Sequence, residues 1–383
     1  MKILHLADLH IGKSILEQSL LKDQEYMLEQ IIKIIKEKDI NTVLIAGDIY
    51  DRSIPSTEAI NLLDNFLVTL TKELKIKVLI ISGNHDSKER LNFGSKLFEK
   101  EGLYIQTSYD GNLRKIEIPD EYGFINFYLL PYLKPADVKA FFDCDIENYN
   151  DAIKKIIEKE TINEKERNII VSHQFVTSGT FSPERSDSET ITLGGTENVD
   201  ISNYDKFDYV ALGHIHRPQK LIKDNIRYSG TILKYSFSEV NHNKTVPIIE
   251  YKEKGNLTIE LIPLVPARDM RIIKGPIDEL LKKENYLNTN LDDYIEAIIT
   301  DEEPVYDAIN RIRRVYPNTL KLDILNNRTR ENEETHLESI EKIKEKTELE
   351  LFNEFFKFQN NEEMNKKEEK IIKEIINELR KEE

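Results

Sequence analysis

Gly83-Asn84-His85-Asp86 follows the apolar run Lys77–Ile81 and stands just before a helical pattern. A short apolar run closed by glycine and polar donors reads as a buried strand that delivers side chains beyond its carboxyl end. Two similar junctions precede it. Ile3–Leu6 runs into Asp8-Leu9-His10, and Thr42–Ala46 into Gly47-Asp48-Ile49-Tyr50-Asp51-Arg52. Two more follow, with Asn168–Val171 before Ser172-His173 and Val210–Leu212 before Gly213-His214-Ile215-His216.

Helical patterns over 23–38, 56–74 and 88–100 separate the first strands; the earliest carries Tyr26, Met27, Ile31, Ile34 and Ile35 at helical spacing. This alternation predicts an α/β fold with a parallel sheet covered by helices and right-handed crossovers, where ligands bind beyond the strand ends. After residue 103 the pattern turns to strands at 115–118, 125–130, 227–228, 246–251 and 257–264, with a helix near 150–160. The polar stretch 177–197 is long for an idle loop and reads as functional. Pro263 and Pro266 mark a change of character. A smaller α/β unit is expected beyond them, with strands at 269–273 and 293–299 and helices at 276–284 and 303–315. Charged residues then make a linker, and two amphipathic helices close the chain. The first carries Leu349, Leu351, Phe352, Phe355, Phe356 and Phe358; the second carries Ile371, Ile372, Ile375, Ile376 and Leu379. The expected division is 1–265, 266–325, 326–345 and 346–383.

With 39% hydrophobic residues in 383, the chain can build a sizeable core. A single cysteine, Cys144, excludes an internal disulfide framework and fits a reducing compartment. No basic leader opens the sequence and no apolar run spans a bilayer, so a soluble cytoplasmic protein is expected, with no membrane partner. The net charge of −16 argues against a nucleic-acid partner without excluding one, because bound divalent metals add local positive charge.

Five of the eight histidines, His10, His85, His173, His214 and His216, sit at strand ends beside Asp, Asn or Gly. Singly, each reads as well as a surface or core histidine; with Asp8, Asp48 and Asn84 they read as a donor set. Carboxylate, amide and imidazole together suit manganese, iron or zinc in open sites rather than thiolate-bound structural zinc. Seven of these eight would suit two ions about 3.5–4 Å apart that share a carboxylate and clamp an in-line phosphoryl displacement. In extended chain, residues i and i+2 face one way, so Asp8 and His10, like His214 and His216, would offer paired donors around a buried residue. His5, His242 and His336 lie outside these motifs and are expected to be structural or exposed.

The ordered set D-x-H, G-D-x-x-D-R, G-N-H-D, H and G-H-x-H resembles the calcineurin-like metallophosphoesterase superfamily. More narrowly, Gly47–Arg52, Leu193-Gly194-Gly195-Thr196, Gly213–Gln219 and Tyr228-Ser229-Gly230-Thr231 are similar to the SbcD-type nuclease subunits of bacterial SbcCD DNA-repair complexes. The resemblance implies a sandwich of sheets flanked by helices, with a smaller α/β capping domain and a helical tail. It further implies two divalent ions, manganese foremost. One would be held by Asp8, His10, Asp48 and His216, the other by Asp48, Asn84, His173 and His214. By the same resemblance His85 acts on the reacting phosphate and Asp51 orients it. Relatives from archaea and eukaryotes commonly have His where Asp51 stands, and Ser53 replaces the last Gly of related phosphatases, which favours the bacterial branch. Arg52 has two readings, a contact to substrate phosphate and a salt bridge to a neighbouring carboxylate. Asp86 also has two readings, a further orienting group and the cap of the helix that follows, with the cap favoured.

The same resemblance implies nuclease activity on duplex ends and on single strands or hairpins. The helices at 56–74 and 88–100 would make a homodimer, and the tail would bind an SbcC-type ATPase. No G-x-x-x-x-G-K-[ST] loop occurs here, so ATP chemistry would belong to that partner. Basic residues in 266–325, among them Arg268, Arg271, Lys282 and Arg311, would guide DNA, although interleaved acids make a solvated surface an equal reading. A phosphodiesterase or phosphatase acting on a non-DNA substrate is the alternative, and a non-cutting scaffold a third.

Overall fold

The structure, a computed structural model, describes residues 1–179, 181–189, 197–325, 349–353, 356, 364, 368, 369 and 371–373. The linker expected at 326–345, the Leu193–Thr196 motif, His336 and most of the tail lie outside these residues. Of the tail, 349–353 and 371–373 are helical.

The chain divides into two units: Met1–Ile272 with Asn290–Glu296 and Asn318–Lys321, and Ile273–Thr289 with Ala297–Pro317 and Leu322–Glu383. The first holds two six-stranded sheets. In one, Lys2–Leu6, Thr42–Ala46, Lys77–Ile81 and Leu103–Gln106 run parallel, and Thr245–Tyr251 with Leu257–Pro263 extend the Lys2–Leu6 edge antiparallel. In the other, Gly123–Leu130, Arg167–His173, Tyr209–Gly213 and Ile226–Tyr228 are parallel, with antiparallel edges at Arg114–Asp120 and Gln219–Lys220.

The two sheets face each other through one apolar layer. Ile3, Leu44 and Leu79 of the first meet Phe127, Ile169 and Tyr209 of the second. A second layer packs helices Leu21–Lys38 and Thr57–Val68 on the far face of the first sheet, and a third packs Tyr149–Lys159 on the second sheet. Burial on both faces explains why the central strands read as continuous apolar runs without alternation. Only the parallel half of the first sheet follows from alternation of strand and helix; its antiparallel pair comes from much later in the chain, at Thr245–Tyr251 and Leu257–Pro263.

Local differences from the sequence reading have physical causes. Tyr26 points outward at 42% exposure, and Leu28 takes a core place instead. The helix expected over 88–100 is broken into Lys88–Asn92, Ser95–Phe98 and the turn Glu99–Glu101, because Gly94 adopts φ +73°. The helix over 56–74 runs as Thr57–Val68 and continues as a wider π-type turn at Thr69–Glu73. In the second unit the helices are short, Ile277–Leu280, Lys283–Tyr286 and Ala308–Arg313. They are tied by Ile277 N–H to Asp301 and by the Tyr316 hydroxyl to the Leu280 carbonyl. A strand at Thr319–Ile324 had no counterpart in the sequence reading.

Candidate metal centre

The seven expected donors converge where the parallel strands of both sheets end. Asp8 and His10 do not sit in extended chain as alternation predicts: their φ values are 51° and 44°, and Asp48 and His214 also have positive φ, 48° and 102°. Left-handed backbone at a non-glycine residue costs of order 1–3 kcal/mol and persists only where surroundings impose it. Here the loops impose it on one another. The Asp8 N–H donates to the Gly47 carbonyl at 3.0 Å and the His10 N–H to the Asp48 carbonyl at 2.9 Å. Leu9, fully buried between the two donors, anchors the turn as expected.

Glycines allow the close approach. A Cβ on Gly213 would lie 1.9 Å from the Ala46 carbonyl oxygen, and one on Gly83 would lie 2.1 Å from Asp48 Oδ1. Both glycines serve the approach of neighbouring chain rather than a sharp turn of their own.

Donor atoms of Asp8, His10 and His216 lie within 4.8 Å of one another, as do those of Asp8, Asp48 and His173. His10 Nε2 is 3.2 Å from His216 Nε2 and 3.6 Å from Asp48 Oδ2. Asn84 Oδ1 stands 3.1 Å from His173 Nε2 and 3.2 Å from His214 Nδ1. His173 Nδ1 lies 2.7 Å from the Ala46 carbonyl, which can only accept, so that nitrogen carries a proton and Nε2 faces the cluster.

The electrostatics fit bound cations. Asp8 and Asp48 are 0% and 2% exposed, and Asp8 Oδ2 and His10 Nδ1 have no hydrogen-bond partner among the described residues. Burial pushes the Asp8 carboxyl well above the usual carboxylate range. It pushes Asp48 up too, but His173 and His10 outweigh it and hold Asp48 low. Burial disfavours a charged His173 ring, yet Asp48 more than offsets this and raises it to about 9. Buried without a cation beside it, the Asp8 carboxyl cannot readily hold its charge, and a nearby positive charge is what divalent ions supply to an oxygen and nitrogen donor set.

His85 faces the same space, its ring 4.9 Å from that of His10. Its N–H donates to Asp48 Oδ1 at 2.9 Å, and its Nδ1 lies 3.1 Å from the backbone carbonyl of Asp51. The Asp51 carboxylate turns instead to Lys13 Nζ at 2.7 Å and to His10 Nδ1 at 3.7 Å. Arg52 is 79% exposed, its Nε 3.7 Å from Asp51. Asp86 is not the helix cap, a position taken by Ser87, which accepts from Arg90 N–H. The Asp86 carboxylate accepts the backbone N–H groups of Ile49, Tyr50 and Gly83, and so fastens the Asp48 loop to the Asn84 loop. His5 is fully buried, 3.0 Å from the Tyr209 hydroxyl, and makes no part of the centre.

Several supporting residues carried no sequence signal. Gln24, inside the first helix, donates to the Leu9 and His10 carbonyls. Glu189 accepts the His216 N–H at 2.9 Å. The half-buried Ser188 and the buried Glu239 and Lys244 form a chain behind His216, with Lys244 Nζ 2.6 Å from Glu239 and 2.8 Å from the His216 carbonyl. Only their place in a polar loop or at a strand start preceded the structure.

The family model described as calcineurin-like phosphoesterase matches residues 1–218. With the layered sheets and the donor set at their ends, it defines a metal-dependent phosphodiesterase. A second model, the type 5 capsule protein repressor C-terminal domain, matches residues 266–360. The SbcD component of the nuclease SbcCD from Staphylococcus epidermidis is 38% identical over 326 residues, 84% of this chain and 85% of that one. The chain therefore belongs to the calcineurin-like phosphoesterases and, within them, to the SbcD nuclease family. Among solved structures, a dimetal phosphatase from Danio rerio aligns at TM-score 0.42 and 13% identity, over 69% of this chain and 96% of that one.

Proposed function

We propose that the protein is the manganese-dependent DNA nuclease component of an ATP-dependent SbcCD-type repair complex, exonucleolytic on duplex ends and endonucleolytic on single strands or hairpins. The observation that carries this reading is the convergence of Asp8, His10, Asp48, Asn84, His173, His214 and His216 at the ends of both sheets, in a chain 38% identical to a nuclease component. Asp8, His10, Asp48 and His216 hold one ion; Asp48, Asn84, His173 and His214 hold the second. Such a pair, when bound, supplies Lewis-acid polarisation of the phosphate and activation of water.

The chain's own groups do the rest. The Asp51 carbonyl can only accept, so His85 Nδ1 carries a proton and the ring is oriented by backbone. For His85 to serve the leaving oxygen, the ring enters the step as the imidazolium, gives up its Nε2 proton as the P–O bond breaks and is left as the neutral Nδ1–H form held by the Asp51 carbonyl, work worth about 10²–10⁴ in rate. Asp51 adds negative charge beside His10, and Arg52 meets substrate phosphate.

Residues 1–265 act as the nuclease domain and 266–325 as a capping, DNA-guiding domain. Arg268, Arg271, Lys282 and Arg311 are each held by a carboxylate, which leaves guidance to the other basic residues. A homodimer through the segments 56–74 and 88–100 is supported by a groove of about 740 Å³ and by Phe93 and Leu97, 84% and 75% exposed. Residues 326–345 and 346–383 serve the SbcC-type ATPase. No helix among the described residues is long and apolar enough to cross a membrane, and the single cysteine supports a cytoplasmic setting.

One assay tests this reading: purified protein and manganese, with and without the ATPase, on labelled hairpin DNA beside a chromogenic phosphodiester. DNA cleavage is expected. Turnover of the small ester without any cutting of DNA would select the non-DNA phosphodiesterase instead.

A further inference from the structure

The segment 181–189 reaches the metal centre at Ser188 and Glu189, and it is fastened at several points. Glu184 N–H donates to the Gln219 side chain at 3.1 Å, whose amide donates back to the Glu184 carbonyl at 2.9 Å. Asp187 N–H donates to Ser238, and Ser188 and Glu189 are tied to Glu239 and His216. Between these anchors stands Arg185. Its guanidinium carbon lies 3.7 Å from the centre of the Phe175 ring, stacked on its face. The Phe175 ring in turn lies 6.3 Å from the ring of His214, tilted at 66°.

No carboxylate among the described residues pairs with this guanidinium. Glu184 is spent on Arg217, and Glu189 Oε1 accepts the His216 N–H. Stacking fixes the plane of the fork while its N–H edges remain available, the arrangement arginine uses for phosphate recognition. A chain of net charge −16 also needs a local cation where a polyanion must approach.

We propose that Arg185 binds a phosphate of the nucleic-acid strand next to the one that is cut. The Phe175 ring stands between the guanidinium and His214, so the fork addresses a neighbouring phosphodiester rather than the scissile one. Phe175 sets the plane of the guanidinium, and the anchors at Glu184 and Ser188 set its position. The proposal rests on the nuclease reading above.

The test uses the full chain in a His85→Ala background, with manganese and a fluorescein-labelled hairpin DNA, and follows anisotropy across a salt series. Arg185→Ala is expected to weaken binding about tenfold, and to flatten the slope of log Kd against log salt by about 0.7–0.9, the value of one neutralised phosphate. Arg185→Lys is expected to restore the slope, because it keeps the charge, but only part of the affinity. An unchanged slope in Arg185→Ala, or an Arg185→Lys slope that stays flat, overturns the assignment even if affinity falls. Failure of the parent protein to bind the hairpin, with wild type hydrolysing only a small phosphodiester, overturns the nuclease reading and the assignment together. Parent binding with an unaltered Arg185→Ala slope leaves the nuclease reading standing and removes Arg185 from it.

Discussion

Ser188 Oγ stands 2.6 Å from Nδ1 of His216. The same hydroxyl donates to Glu239 at 2.5 Å, so it accepts from the imidazole N–H and leaves His216 Nε2 as the donor atom facing the centre. Ser188→Ala should release the ring and lower divalent-metal affinity by about 10–100-fold, the usual cost of losing an outer hydrogen bond to a ligating histidine. Calorimetric titration of the purified variant reads this directly. Wild-type affinity would show that Glu239 and Lys244 hold His216 without the serine.

His85 stands among the donors but is assigned to the phosphate. His85→Ala should therefore keep both ions while kcat falls by about 10²–10⁴. Metal content by elemental analysis and single-turnover cleavage separate the two roles. Loss of an ion in that variant would move His85 into the donor set.

Gly213 has no room for a side chain, since its Cβ would strike the Ala46 carbonyl that also holds His173. Gly213→Ala should cost roughly 3 kcal/mol or more through forced backbone movement. A thermal melt within a degree or two of wild type would show that the strands can part without loss.

These cases mark how far the sequence could be read. Strand ends that pair an apolar run with Gly and a polar donor were legible because burial on both faces leaves a continuous apolar signature. Thus Asp8, Asp48, Asn84 and His214 could be placed before any geometry. Asp86 could not, because a carboxylate before Ser-Lys-Glu looks like a cap, and only the fold shows three backbone N–H groups from two loops converging on it. Ser188, Glu239 and Lys244 were equally hidden: their relation to His216 depends on segments that no local pattern brings together. Gly94 broke a helix that periodicity alone would have continued.

Stability at low pH should depend on Asp120. Burial raises its carboxyl, but the Arg167 guanidinium, at 2.5 Å, and the N-terminal ammonium, at 3.0 Å, outweigh burial and hold it at about 2. Because the folded value lies below the usual 3.8, the contribution is complete above about pH 4 and is lost as pH falls through about 2, a total of roughly 1–2 kcal/mol once solvent screening is allowed for. The advantage of wild type over Asp120→Asn in urea unfolding should therefore shrink steadily below about pH 4. A constant difference down to the acid limit would mean that packing, not charge, separates the two proteins.

The zipped loops at the strand ends carry a consequence for the order of events in the life of the chain. The Asp8 carboxylate accepts the N–H of His214, a residue 206 positions later. A chain still emerging from its synthesis, with every strand up to His173 made, has the His10, His85 and His173 loops but neither His214 nor His216. On the proposed ligand sets each ion lacks one donor until His214 and His216 have joined, so complete capture waits on the second sheet. Capture then shifts the folding balance by mass action, growing with free ion over Kd. A chain interrupted before Tyr209 should therefore hold divalent metal more weakly than the whole chain, however well its first sheet has formed.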